Sequence, residues 1–447
     1  MLTKIAIENF KSIGKRIELE LKPLTILVGP NASGKSSILE ALCLFVQSIR
    51  TGTSGFDLSG NYYPNFVKYS KWEDVAHKGD LKKPITIEIH IKLTEDEISK
   101  LVKKPGTRDM LASVLSIDEI NSIGCYYSYG IFKEGSVYAE QGIFCSGKKI
   151  IEVRAVKTDS SYKSVFTFPE IIKGEGTKGS VEYLLHPQVF EPLNEDKHMR
   201  LTDFATEAAN IIASRLKPST YKSKVYFLSA QRGEIKPEVG TGEIYEWVGK
   251  KGEYLLYILS RVSSPEYEQK KMKIEEWALK FEIKNPWAGW VGSGKASGEF
   301  IDAKLEHPLN LAFASFGSSQ ILTVITQLFW SNEGDMILIE EPEISIHPKG
   351  QVMLTELFAD AIKEGKQVVI TTHSGYLPLA LHRALNKGLR AEDIAVYEVT
   401  KDGEGTKVKK KEIDERGYIK GYIDSFYEVE EELAKDWAKS IKSIEEE

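Results

Sequence analysis

Apolar residues alternate with polar ones through Ile5 and Ile7, and past Asn9 the pattern shifts to Phe10. That period of two predicts a strand. Ile17-Glu18-Leu19-Glu20-Leu21 alternates cleanly and predicts a half-buried antiparallel strand. Leu24-Thr25-Ile26-Leu27-Val28 is nearly all apolar and β-branched, the composition of a strand buried on both faces. A glycine-rich turn follows it. Ile38, Leu39, Leu42, Phe45, Val46 and Ile49 then recur at helical spacing.

Further along, residues 50–84 hold much Gly, Ser, Tyr and Asn and read as loop. Residues 85–91 alternate again, and short strands expected at 125–129, 136–144 and 150–156 make an antiparallel sheet lobe. The character changes near residue 157. Glycine and lysine precede a helical segment at 203–216, and a second helical zone runs from 254 to 281, interrupted at Ser263-Ser264-Pro265. After Asn310, apolar strands at 336–339, 368–371 and 394–399 are separated by helical segments at 351–362 and 377–385. This reads as βαβ units of a parallel sheet. The expected architecture is therefore α/β, with a mixed central sheet, an antiparallel β lobe and an inserted, mainly helical lobe. The expected division is 1–156 and 310–427 as two parts of one head, 157–309 as the insertion, and 428–447 as a charged helical tail.

Gly29-Pro30-Asn31-Ala32-Ser33-Gly34-Lys35-Ser36 fits G-x-x-x-x-G-K-[ST] at every fixed position, between a buried strand and a helix. Glycines let the backbone wrap phosphate oxygens, and successive amides with the helix N-terminus attract negative charge. The segment from Gly29 to Ser37 is thus a nucleotide-phosphate cradle, with Lys35 directed to the β- and γ-phosphates and Ser36 to Mg²⁺. Met336-Ile337-Leu338-Ile339 runs into Glu340-Glu341, an apolar strand ending in two acids at the carboxyl edge of a sheet. One acid can hold the Mg²⁺ shell and the other can polarise water. Gln367-Val368-Val369-Ile370-Thr371-Thr372-His373-Ser374 is another buried strand ending in polar residues, and it brings His373 within reach of the γ-phosphate. Ser315, Gly317, Ser318 and Gln320 open an apolar helix whose N-terminus accepts an anion.

The order of these four elements resembles the ABC-type ATPases of the SMC/RecF-like branch. Ile7-Glu8-Asn9-Phe10-Lys11-Ser12-Ile13 is similar to the opening "I-x-N-F-K-S" strand of RecF and of the OLD (overcoming lysogenisation defect) family. Glu340-Glu341-Pro342-Glu343 with Ile346-His347-Pro348, and Thr372-His373-Ser374, are similar to OLD-like motifs, and the pattern as a whole resembles stand-alone prokaryotic AAA-type ATPases without a fused nuclease. Asn310-Leu311 with Phe316-Gly317-Ser318-Ser319-Gln320 echoes their "N-L-x-x-x-G-x-G-x-S-Q", with Ser315 where that pattern has glycine. Gly417-Tyr418-Ile419 and Asp424-Ser425-Phe426-Tyr427 echo their C-terminal pattern. The resemblance implies a slow, Mg²⁺-dependent ATPase that dimerises head to tail around two ATP. In it the 315–320 segment of one copy caps the γ-phosphate of the other, Glu341 activates water, Glu340 supports Mg²⁺ and His373 senses the γ-phosphate. It also implies a glutamine loop, for which Gln141 is a candidate by its place at a strand end. Arg232, in Phe227-Leu228-Ser229-Ala230-Gln231-Arg232-Gly233, resembles a "strand-P-x-R" element and is as readily structural.

Composition narrows the alternatives. The chain has 447 residues, of which 42% are hydrophobic and 28% charged, a soluble globular balance. No apolar run approaches the roughly 20 residues that cross a bilayer, and no signal peptide pattern opens the chain, so a cytoplasmic location is expected. Cys43, Cys125 and Cys145 lack metal-ligand spacing and read as reduced thiols. The wide gap between Ser36 and Ser315 argues against a transporter subunit, and helical stretches broken by Pro, Gly and aromatics argue against long coiled-coil arms. The residues after His373 offer no carboxylate cluster for a nuclease. The net charge of −6 leaves room for only a local basic surface, with Lys407, Lys409, Lys410 and Lys411 as one run and Lys217, Lys222 and Lys224 as another. Family analogy points to double-stranded DNA in repair or anti-phage defence. The competing expectation is a nucleotide-dependent switch that docks an effector protein.

Overall fold

The computed structural model describes residues 1–51, 56–61, 65–103, 107, 111, 115–131, 137–158, 161–167, 178–179, 196–216, 225–233, 235, 239–240, 244–290, 295–421, 423–424, 426 and 431–437. Strands β1 (Leu2–Glu8), β2 (Ile17–Glu20) and β3 (Leu24–Val28) lead into helix α1 (Lys35–Thr51). Next come β4 (Ile85–Lys92), α2 (Glu95–Leu101), β5 (Ser122–Ile131), β6 (Val137–Cys145), β7 (Lys148–Thr158), β8 (Ser161–Thr167) and β9 (Lys178–Gly179). The middle of the chain holds α3 (Asp196–Leu216), β10 (Val225–Leu228), β11 (Val239–Gly240), α4 (Leu255–Val262), α5 (Glu268–Lys280), β12 (Ile283–Trp290), β13 (Lys295–Asp302) and β14 (His307–Asn310). The last part is α6 (Phe316–Trp330), β15 (Met336–Glu340), α7 (Pro348–Lys363), β16 (Gln367–Thr372), α8 (Tyr376–Leu379), α9 (Leu381–Asn386), β17 (Ile394–Asp402) and β18 (Gly405–Lys411).

These strands form the expected α/β arrangement. The central sheet has the order β10-β15-β16-β3-β17-β18, with parallel pairing up to β17 and β18 antiparallel at the edge, so it is mixed. Every residue of β3 and β16 is buried, which explains why both read as continuous apolar runs. A separate antiparallel sheet runs β2-β1-β4-β5-β6-β7-β8-β9. Helix α1 bears on β1 and β4 of that sheet, and the Phe45 ring lies 5.1 Å from the Tyr127 ring of β5 between centroids. The helix is buried nearly all round, from Ile38 through Ile49, because it is enclosed by its surroundings on several sides. Gln367 joins the two sheets at one end: its side chain accepts from Leu2 N at 3.0 Å and donates to Leu2 O at 2.8 Å.

The stretch expected as a mainly helical insertion contains α3, α4 and α5, and it also supplies strands. β10 enters the central sheet beside β15, and β11 to β14 make a small antiparallel sheet of their own. Pro286 and an irregular register between Lys284 and Trp287 break the alternation of β12, which is why the period of two is not legible there. The single helix expected at 377–385 is two short ones, divided at Ala380. Gln141 is a correction: it lies buried in the middle of β6, paired with Tyr127 and Val153, and not at a strand end. The three cysteines are buried and free, and burial pushes the Cys145 thiol up to about 11. Among the described residues no helix is long and apolar enough to cross a membrane. The run Lys217–Lys224 and residues Ser425 and Tyr427 lie outside the described residues, as does most of the 428–447 tail, of which 431–437 is helical.

Phe45 is wholly buried where α1 meets the antiparallel sheet. Phe45→Ala is expected to destabilise the protein by about 3–5 kcal/mol, as large-to-small core changes do; urea denaturation monitored by circular dichroism measures it.

Candidate functional site

Parallel register brings three strand ends to one edge. Thr372 pairs with Val28, and Glu340 with Thr371, so the turns after β3, β15 and β16 open side by side. The turn after β3 is the glycine-rich loop. A Cβ at Gly34 would lie 2.0 Å from Thr406 Oγ1, and φ there is +106°, so only glycine fits. Ala32 is also left-handed at φ 58°. Thr406, at the start of β18, donates to Ser33 O at 2.9 Å, its Oγ1 lies 2.8 Å from Ser12 Oγ, and Ser12 Oγ meets Ser37 Oγ at 3.0 Å. Thus the loop is braced from outside by two residues remote in sequence. Ser33 Oγ is buried without a hydrogen-bond partner.

Lys35 leads back under its own loop, donating to Gly29 O and Pro30 O at 2.8 Å each. Its Nζ lies 3.4 Å from His373 Nδ1, and His373 Nε2 lies 2.9 Å from Glu341 Oε1. Both histidine contacts are satisfied by the neutral tautomer with its proton on Nε2. Burial pushes Lys35 down to about 8, against the pull of Glu341 and Glu343. The hydrogen bond from His373 holds Glu341 below the usual carboxylate range. Glu340 moves the other way: burial raises it, against hydrogen bonds from the Ser36 hydroxyl and the Ala230 amide. The two tandem acids are therefore electrostatically distinct, as different roles require. A cavity of about 720 Å³ beside them is lined by Glu341, Glu343, His373, Tyr376, Tyr418 and Phe426.

Glu341 adopts φ +45°, a left-handed conformation costly for a residue with a side chain. Arg232 secures that turn. Its guanidinium donates to Ser229 O (2.9 Å), Glu340 O (2.6 Å) and Glu341 O (2.9 Å), and only 1% of the residue is exposed. Burial pushes it down to about 10, still charged at neutral pH, with Glu343, Glu340 and Glu341 opposing the shift. The residue that sequence left open between structure and function thus acts on the backbone of both acids. Ser12 and Thr406 were not singled out for this site; Ser12 stood only inside the opening motif, and nothing along the chain marks Thr406.

The 315–320 segment stands apart from the lysine, the acids and the histidine. Ser315 caps α6, accepting from Ser318 N at 3.1 Å; Ser315 is exposed and Ser318 half-buried, their hydroxyls 2.8 Å apart. Gly317 fits against the loop after β15, since a Cβ there would lie 2.4 Å from Ser345 O. Gln320 is buried, with its Nε2 3.5 Å from Ala230 O. Phe313 and Phe316 flank the cap, 78% and 53% exposed. Gln141, in the middle of the antiparallel sheet, makes no contact with this constellation among its strand pairings.

The basic run of β18 is occupied. Lys407 pairs with Asp402, Lys409 with Asp424 at 3.4 Å, Lys410 with Glu20 at 2.5 Å, and buried Lys411 with Glu398 at 2.6 Å. Among the described residues no cluster of His, Cys, Asp and Glu could by itself hold a metal ion.

Comparison with known proteins gives one family. The model of the AAA ATPase domain matches residues 1–377. No curated protein matches the chain. Solved structures similar to it include the Smc head bound to the C-winged helix domain of ScpA (12% identity, 92% of this chain and 98% of that one, TM-score 0.47). The SMC head domain from Thermotoga maritima is similar over 92% of this chain and 99% of that one (12% identity, TM-score 0.39). So is the Smc head domain with an extended coiled coil bound to the C-terminal domain of ScpA derived from Pyrococcus furiosus, over 97% and 99% (12% identity, TM-score 0.47).

Replacing Arg232 by Met removes its bonds to three carbonyls, of which Glu341 O still accepts from Ile344 N at 3.2 Å, and is expected to cost about 3 kcal/mol. Arg232→Lys recovers only part, because an ammonium lacks the planar fork that reaches all three. Equilibrium urea unfolding of both variants measures the difference.

Proposed function

We propose that this chain, which belongs to the AAA ATPase domain family, binds ATP at the Gly29–Ser37 loop and hydrolyses it with Glu341 as general base. The observation that carries the reading is the line Lys35–His373–Glu341, in which residues from three neighbouring strand ends meet at 3.4 and 2.9 Å. Lys35 and the loop amides bind the β- and γ-phosphates. Glu341, kept ionised by His373, takes a proton from water. The water oxygen bonds to the γ-phosphorus as the bond to the bridging oxygen breaks, releasing ADP and phosphate. His373 stays within reach of both the lysine and the base and registers the γ-phosphate between them. The Ser36 hydroxyl and the Glu340 carboxylate, hydrogen-bonded to each other, are hard oxygen donors that fit Mg²⁺. When bound there, Mg²⁺ neutralises phosphate charge.

The exposed Ser315 hydroxyl and the half-buried Ser318 hydroxyl, with Gly317 and Gln320 behind them, serve a second copy. In an ATP-dependent, head-to-tail homodimer they cap the γ-phosphate held by the partner's loop, and the apolar surface of Phe313 and Phe316 is covered at the same time. Within the family we assign the chain to the OLD-like ATPases, on Glu340-Glu341-Pro342-Glu343 and Thr372-His373-Ser374. Its substrate and its buried free thiols suit a cytoplasmic location.

Hydrolysis is coupled either to DNA repair or defence, or to docking of an effector protein without contact to DNA. The pairing of Lys407, Lys409, Lys410 and Lys411 with acids favours the effector reading, because it offsets the local positive charge that phosphates would need.

Lys35→Ala is expected to abolish ATP binding, whereas Glu341→Gln keeps binding, loses at least a hundredfold in turnover and accumulates as an ATP-bound dimer. Nucleotide titration, phosphate release and sedimentation check the three outcomes; turnover by Glu341→Gln at the wild-type rate removes Glu341 as the base. In a separate assay, the ATPase rate with and without double-stranded DNA at two salt concentrations is expected to stay flat under the effector reading. A salt-sensitive stimulation reverses that preference.

A further inference from the structure

Glu343 sits two residues beyond the proposed base, and it is buried with 7% of its surface exposed. One oxygen of its carboxylate, Oε1, accepts three hydrogen bonds from the end of β16 and the turn after it. Thr372 Oγ1 donates at 2.7 Å, the His373 amide at 2.8 Å and the Ser374 amide at 3.2 Å. The other oxygen, Oε2, is buried without a hydrogen-bond partner. Leaving a buried carboxylate oxygen unpaired is costly, so the three bonds at Oε1 must hold the group in place. The same turn is gripped from a second side, where Ser374 Oγ donates to Gln351 Oε1 at 2.7 Å and Gln351 Nε2 donates to Ile346 O at 2.8 Å.

We infer that Glu343 is a positioning residue for hydrolysis: its Oε1 clamps the backbone of His373 and Ser374 to the acid-bearing turn and so sets the His373–Glu341 distance. The clamp joins the two turns directly. Movement of the His373 turn away from β15 breaks all three bonds to Oε1 together, and movement of the Glu341 turn does the same. The clamp works through acceptor geometry: the group reaches two amides and a hydroxyl at hydrogen-bond distance, and its charge acts on Lys35 and Arg232 only from farther off. The inference rests on the reading in which Glu341 and His373 act on ATP. A misplacement of about 1 Å in such a constellation costs on the order of a hundredfold in rate.

The test compares Glu343→Gln, Glu343→Ala and Glu343→Asp with Glu341→Gln, by steady-state ATPase kinetics and by hydrogen exchange of peptides spanning residues 372–376. Gln keeps an acceptor oxygen where Oε1 stands and loses the charge; Asp keeps the charge and withdraws the oxygen by one methylene. The expected result is that Glu343→Gln holds kcat within about threefold, while Glu343→Ala and Glu343→Asp lower it about 10–100-fold. KM for ATP stays within about threefold in all of them, because no residue of the phosphate loop is replaced and Glu341 still pulls on Lys35. The His373 and Ser374 amides should exchange at least about tenfold faster in the Ala and Asp variants and near the wild-type rate in the Gln variant. If Glu343→Ala fails to fold, the ranking of Gln against Asp still decides: Gln above Asp supports the clamp, and Asp above Gln overturns it in favour of charge. Wild-type turnover and wild-type exchange in Glu343→Asp, with Glu341→Gln inactive, overturn the clamp and leave the reading of the site standing. Wild-type turnover in Glu341→Gln removes that reading, and with it the inferred role in hydrolysis, whatever the exchange rates show.

Discussion

Parallel hydrogen bonding among β15, β16 and β3 is the constraint on which the candidate site depends. Because Glu340 pairs with Thr371 and Thr372 with Val28, three chain segments leave the sheet at one level and on one side. Parallel strands point their carboxyl ends in the same direction, so polar residues that could not sit within the apolar sheet gather at its edge. The interior of β3 and β16 is wholly buried, which keeps this register from slipping. The lysine, the histidine and the acid meet at hydrogen-bond distance as a consequence of that register.

Beneath the edge, buried charge is held by the backbone more than by opposite charge. Arg232 spends its guanidinium on three carbonyls, and Glu343 spends one oxygen on a hydroxyl and two amides. Backbone groups do not change rotamer, so a charge fixed to them fixes the turn as well. The left-handed Glu341 persists because the surrounding bonds over-determine it, among them the bond from its own amide to Thr371 O at 2.9 Å. Thr406 and Ser12 treat the phosphate loop in the same way from the other flank. The tertiary structure therefore supplies rigid second supports to groups that the motifs already contain.

Legibility along the chain followed periodicity. β3, β15 and β16 were readable because a strand buried on both faces must be a continuous apolar run, and α1 because its apolar residues recur at helical spacing. β12 was not, since Pro286 and the shifted register next to it remove the alternation. β10 is four buried residues within a stretch of changing character, too short to announce that it joins the central sheet. Gln141 illustrates the opposite error: it was placed at a strand end, whereas the strand continues through it to Cys145. The lysines of β18 looked like a basic surface, and carboxylates of β17, of β2 and at Asp424 pair with them.

By itself the sequence determined the phosphate-loop motif, the order of the four chemical elements and the α/β class, because glycine spacing and apolar runs are local properties that the chain carries wherever it folds. Only the tertiary structure decided that Lys35, His373 and Glu341 touch, that Arg232 and Glu343 hold the turns bearing the acid and the histidine, and that Thr406 closes on a loop hundreds of positions earlier. The physical reason is that Lys35, His373 and Glu341 meet only through the register of three strands, and that the supports from Arg232, Glu343 and Thr406 end largely on backbone amides and carbonyls. Such groups are the same at nearly every residue, so a contact made to them leaves no mark in the composition of the partner, and it exists only once the register of the sheet has brought the two turns together.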